Sequence, residues 1–207
     1  MKNYKLSDET KTMPCGTVLH RVVATTTFTL ACGLTINAGD VGGWIEKESN
    51  LSGNAWVSGD AWVYGNARVS GNALISRYAE VYGDARVSDD AWVSSNAKVH
   101  GTAQVSGDAE VYGNAQVSGI AKVYGNARVF DNAKITDKAV VSGNAQVYGD
   151  AEVSDESCVC DDAQVSGEVK ISGNSMVADS TVIFGNVRVC NMTLNSDGFT
   201  PHPELTH

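Results

Sequence analysis

From Ser52 the chain reads SGNAWV (52–57), SGDAWV (58–63), YGNARV (64–69) and SGNALI (70–75), and the same hexapeptide runs on to FGNVRV (184–189) with no inserted loop. Counting in sixes from Leu51 to Val189 gives 24 positions, and every one is Leu, Val or Ile. Four residues after each lies a small residue, which is Ala at all seventeen positions from Ala55 to Ala151 and then Ser, Ala, Val or Thr. A six-residue period sustained this long is the signature of a parallel β-helix. Within Ala55-Trp56-Val57-Ser58, alternation sends Ala and Val to one side and Trp and Ser to the other, as a short strand requires. Gly59-Asp60 then turns the corner, because Gly adopts positive φ freely and Asn or Asp tolerates it better than most residues. A Gly and a β-branched residue in every six positions exclude an α-helix.

Three such strands and three corners close an 18-residue triangular coil. The pattern resembles the hexapeptide-repeat family, and the left hand of the helix is what that resemblance implies. The expected fold is therefore all-β: a left-handed parallel β-helix of about eight triangular 18-residue coils, roughly 38 Å long at the usual strand spacing. The expected boundaries are an N-terminal β-rich cap over 1–50, the helix over 51–194 and a C-terminal tail over 195–207.

Fifteen basic against 24 acidic residues give a net charge of −9 at pH 7, which argues against a general affinity for nucleic-acid phosphates or anionic membranes. The start, MKNYKLSDET, lacks the apolar run of a signal peptide, and no stretch approaches spanning length. The expected location is the cytoplasm. Five cysteines at uneven spacing fit free thiols better than a disulfide framework.

Residues 1–50 lack the hexad. Val18 to Ala24 and Thr25 to Leu30 read as two short strands, and 37–46 (NAGDVGGWIE) as a Gly-rich loop leading into the first coil. Terminal units of a solenoid must cover its open end, so this segment reads as a cap. Its wording is specific. RVVA (21–24), then AGDVGGWIEKESNLS (38–52) running straight into GNAxV hexads, resembles the YdcK-like hexapeptide-repeat proteins of bacteria and bacteriophages. That family is often labelled acyltransferase on fold alone, so the resemblance speaks for architecture more than activity.

Residues 18 apart stack from coil to coil, which turns outward positions into columns. The first sheet carries Trp56, Leu74 and Trp92 in one column and Tyr112, Phe130, Tyr148 and Phe184 in the next. A continuous outward apolar stripe marks an interface. Proteins resembling this fold are typically trimers, so this stripe is the expected oligomer contact; the alternative is that residues 1–50 fold back over Trp56, Leu74 and Trp92. The third sheet turns apolar at its far end, at Val140, Cys158, Met176 and Leu194, and the tail is the candidate cover.

Candidate chemistry is sparse. Hexapeptide-repeat acyltransferases commonly use a His base beside a projecting loop; this chain has no such loop, and His100 is its one histidine on the coils, against His20, His202 and His207 off them. Cys158 and Cys160 face outward on one strand without the further ligands zinc prefers. Asp89, Asp90 and Asp108, and Asp161, Asp162 and Asp179, follow one corner, where Asp is what a turn selects. The grouping of Trp62, Tyr64 and Tyr82 before a corner with Arg68 and Arg86 after it suits a small planar anion of nucleotide type. The leading expectation is a non-catalytic structural or interaction protein, oligomeric and phage- or prophage-associated, without metal or cofactor, with a protein partner or a small anionic ligand. The alternatives are a ligand-sequestering module at that corner and an acyl-CoA-dependent acyltransferase using His100.

Overall fold

The computed structural model describes residues 2–201, and over them the hexapeptide period becomes a parallel β-solenoid. Each hexad supplies a short strand, as at Trp56–Val57, Trp62–Val63 and Arg68–Val69. Each strand then pairs in parallel with the one 18 residues on: Trp56 with Leu74, Trp62 with Glu80, Arg68 with Arg86. Three long sheets result, of eight, eleven and nine strands. They are called here the first, second and third, beginning in the coils at Trp56, Trp62 and Arg68. Between coils the N–H of one residue donates to the C=O seventeen further on, as from Trp56 to Ala73 at 2.9 Å and from Asn54 to Gly71 at 2.8 Å. Strands this short are stable because every coil repeats the same rungs on both neighbours.

Inside, the Val and Ala columns are sealed: Val57, Val105 and Val153, like Ala61, Ala109 and Ala151, have no solvent exposure. Each buried Val contributes about 1.5 kcal/mol, and the Ala beside it keeps three walls close enough to touch. Past Ala151 the inward hydroxyls of Ser157 and Ser175 are buried but donate to the carbonyls of Gly173 (3.4 Å) and Ser172 (2.7 Å). Inward side chains lose their cover only in the last coil, where Val187 is 40% exposed.

The corner residue at positive φ is usually Gly; where it is not, it is most often Asp, as at Asp89, Asp131, Asp155 and Asp161. The reason is a spare donor. The N–H of the corresponding residue one coil later finds no backbone acceptor, and the Asp carboxylate takes it: Gly107 N donates to Asp89 (3.1 Å), Gly149 N to Asp131 (3.2 Å), Gly173 N to Asp155 (2.8 Å) and Asp179 N to Asp161 (3.3 Å). Arg77 (φ 62°), Ser95 (φ 61°) and Asn191 (φ 53°) depart from this rule. The next corner position builds an outer ladder, in which Asn54 donates to Asn72 (3.2 Å) and Asn72 to Asp90 (2.8 Å).

The N-terminal segment differs from expectation in two places. It contains an additional long strand, β1 (Tyr4–Thr12), antiparallel to β2 (Val18–Ala24). The supposed lead-in loop is itself largely strand: β5 (Val41–Ile45) lies antiparallel to β2 and parallel to Trp62–Val63. Gly42 and Gly43 serve close approach here. A Cβ on Gly42 would meet the Val57 carbonyl at 2.4 Å, and one on Gly43 the Val57 side chain at 2.6 Å. Between β2 and β5, a small hairpin of β3 (Phe28–Thr29) and β4 (Thr35–Ile36) lays Phe28 edge-on against Trp56, with centroids 5.9 Å apart and planes at 73°. After β5 a single 3-10 turn, Glu48–Asn50, enters the first coil. Its buried Asn50 donates to the carbonyls of Gly65 (3.2 Å) and Ala67 (2.8 Å).

At the other end, Met192–Asn195 extends the third sheet beside Met176–Val177, and Gly198–Pro201 turns back antiparallel on it. The described part of the tail is thus a hairpin on the sheet it was expected to cover; residues 202–207, with His202 and His207, lie outside the described residues.

Candidate functional site

On the first sheet the structure corrects the expected stripe. Trp56 is 2% and Leu74 8% exposed, the former sealed by Phe28, so neither is free to meet a second chain. An indole and a leucine at one end of a rod are covered more readily by the tethered segment beside them than by another molecule. Trp92, 41% exposed, lies past the cap's edge, and its Nε1 donates to Ser76 Oγ at 2.9 Å. Further along, Tyr112, Phe130 and Tyr148 form a half-buried ladder of parallel rings, with centroids 4.9 and 4.7 Å apart and planes within 2°. Val182 and Phe184, 57% and 73% exposed, close the same face. Burial holds the Tyr112 phenol above its usual pKa, with Glu110 pushing the same way.

At the corner after the second sheet, Tyr64, Tyr82 and His100 stack at 5.0 and 4.9 Å. Burial, then the charges of Glu80 and Tyr82, push the Tyr64 phenol up to about 12. Burial also lowers the His100 pKa, Lys98 lowers it further and Glu80 opposes. A neutral imidazole is the right form for a base. However, one face of the ring rests on Tyr82, and no carboxylate or carbonyl among the described residues orients either nitrogen. His20, off the coils, has Nδ1 3.3 Å from the Ser7 carbonyl.

The corner grouping is divided. Arg68 and Arg86 project from the third sheet into a groove of about 770 Å³, whose walls include Ser52, Ser70, Ser88 and Gln104. A smaller continuation reaches Lys47, Asn66 and Asp84. Trp62, Tyr64 and Tyr82 line neither, since they sit across the Gly65-Asn66 corner. Trp62 instead lies under Lys11 of β1, Nζ 4.4 Å from the ring centre. Sequence alone could not supply that contact, nor Arg21, whose guanidinium lies 4.2 Å from the Trp44 ring and whose Nη1 donates to the carbonyls of Gly42 (2.9 Å) and Gly59 (2.8 Å). Both depend on pairing β2 with β5, a segment that reads as loop.

The Cys158 and Cys160 thiols are free and pushed up, the first by burial and the second to about 12 by burial and its neighbour. Neither has the electropositive setting of a reactive thiol. Asp89, Asp161 and Asp179 accept from backbone N–H groups and Asp90 and Asp162 from asparagine amides, and no group of three His, Cys, Asp or Glu among the described residues is placed to hold a metal.

The class these features define is a parallel β-solenoid with an N-terminal sheet cap and aromatic and charged ladders on its faces. The repeats are those of a named type: the YdcK beta solenoid repeat matches residues 63–77, 79–95 and 103–119, so this part of the β-helix is similar to that family's. Among solved structures, an Arabidopsis UDP-N-acetylglucosamine acyltransferase is similar over 72% of this chain and 68% of its own, at 10% identity and a TM-score of 0.30. At that score the likeness carries no argument about activity. No curated protein matches.

Proposed function

We propose that this protein is a non-catalytic structural or interaction protein that self-associates along the far half of its first sheet, with three parallel copies the favoured arrangement. The observation that carries the reading is the ladder Tyr112, Phe130 and Tyr148, continued by Val182 and Phe184. Flat aromatic and aliphatic surface aligned along one wall of a rod gains most from a matching wall. Assignment to bacteriophage or prophage, and to the cytoplasm, rests on the family resemblance and the sequence alone. An acyltransferase reading through His100 is the weaker one, because the ring is stacked, lacks an orienting partner and stands on a face without a loop to wall in an acyl chain.

The test is Phe130→Glu in the full chain, measured by light scattering. The expected result is an oligomer for the unaltered protein and a folded monomer for the variant. A monomeric unaltered protein, or an oligomer indifferent to the charge, overturns the proposal.

A further inference from the structure

Outward cations on the strands of this solenoid mostly stack on an acid one coil away, and Arg68 and Arg86 do not. Stacked charges one coil apart are usually opposite and paired: Lys98 with Glu80 at 3.1 Å, Arg128 with Glu110 at 3.4 Å, Lys134 and Lys170 with Glu152 at 3.5 and 2.7 Å, and Lys138 with Glu156 at 2.6 Å. Arg68 and Arg86 are partners in register, both exposed, and neither side chain takes part in any ion pair or hydrogen bond among the described residues. The next strand partner below Arg86 is the neutral Gln104. Arg188 also stacks on a cation, Lys170, but that lysine is already neutralised by Glu152. The two acids nearest the arginine pair are occupied: Asp84 accepts from Asn66 (3.1 Å), and Asp89 from the N–H of Gly107 (3.1 Å) and the hydroxyl of Ser88 (3.3 Å). Like charges directly opposite on a sheet destabilise it, and here no carboxylate is placed to pair with either guanidinium among the described residues.

We infer that the third-sheet groove binds a phosphate monoester of a small polar molecule, the phosphoryl group bridging Arg68 and Arg86. Guanidinium groups one coil apart, about 4.8 Å, present two donor forks to a single tetrahedral dianion, the geometry in which Arg binds phosphate best. Ser70 stands two residues beyond Arg68 and lines the same groove, offering its hydroxyl to a remaining oxygen. Asp89, beside Ser88 in the lining, disfavours a second negative group in the groove, so the body of the ligand is neutral and hydroxylated, as in a sugar phosphate, and meets Gln104 and Ser106. The groove lies on the third sheet, so this inference stands or falls independently of self-association through the first.

The experiment uses the full chain, with thermal melting and ³¹P line widths read against inorganic phosphate and glucose 6-phosphate at constant ionic strength, and sodium chloride as the control. At ten times the dissociation constant, the midpoint rises by about 3 °C, and glucose 6-phosphate binds more tightly than inorganic phosphate. Arg68→Gln and Arg86→Gln each weaken binding roughly tenfold or more. Without ligand at low salt both variants melt no lower than the unaltered protein, because the repulsion is relieved. Arg86→Lys keeps the charge and loses the fork, and it also binds more weakly. The inference is overturned by a shift that chloride reproduces, by no shift with either phosphate, by binding that survives in the glutamine variants, or by variants less stable without ligand.

Discussion

Two substitutions at chemically equivalent corners are expected to have opposite signs. Arg77 occupies the positive-φ corner position at 62°, where an L side chain costs about 1–2 kcal/mol, and its side chain is exposed and makes no hydrogen bond or ion pair among the described residues. Arg77→Gly removes that strain. Glycine also enlarges the unfolded ensemble, which costs about 0.4–1 kcal/mol, so the net gain is roughly 0.5–1 kcal/mol, or a midpoint higher by about 1–4 °C for a chain of this size. Asp155 has almost the same φ, 57°, but its carboxylate accepts the Gly173 N–H at 2.8 Å, and Asp155→Gly leaves that donor without a protein partner. Its midpoint should fall. Urea and thermal melts of the two variants beside the unaltered chain decide the matter. If both move the same way, the account of Asp as the side chain that takes the spare corner N–H is wrong.

Trp56→Ala removes the ring against which Phe28 packs and is expected to cost about 3–5 kcal/mol. The β3–β4 hairpin should then lose protection in hydrogen exchange before the middle coils do; uniform loss along the rod would show that the cap is not a separate cover. Tyr64, with its pKa raised to about 12, should titrate well after the ordinary tyrosines in an ultraviolet pH titration. Because the folded-state pKa is the higher one, its contribution to stability is complete below the unfolded value of about 10 and is lost as pH rises towards about 12. Titration of every tyrosine near 10 would contradict the packing drawn for the Tyr64–Tyr82–His100 stack.

The solenoid was legible because its determinant is local and repeated. A Val or Ile every six residues and a Gly between strands set strand, corner and register with no long-range information, and the columns built from an 18-residue offset match the pairing found. The cap was only partly legible, because its evidence is non-local. Val18–Ala24 alternates as a strand should, whereas Val41–Ile45 carries two glycines whose purpose appears only when Trp56 and Val57 are placed against them. The same gap separates the candidate surfaces. A column listing Trp56, Leu74 and Trp92 as outward is correct, yet outward from the coil is not outward from the protein once β3 and β4 cross it. For Arg68 and Arg86 the column showed two like charges in succession. That they lie in a groove with serines and apart from the tyrosines needed the angle of the corner.

The uninterrupted beat of the coils makes chain length a phase as well as a distance. Removing 18 residues from the middle of the rod would shorten it by one layer and leave each later side chain on its original wall. Removing six would preserve the buried valines and the corners, but would turn everything downstream by one wall, carrying the Tyr112–Phe130–Tyr148 ladder away from the side that holds Trp56 and the cap. Insertions and deletions in such a chain are therefore silent or drastic according to arithmetic modulo three hexads, whichever residues they involve.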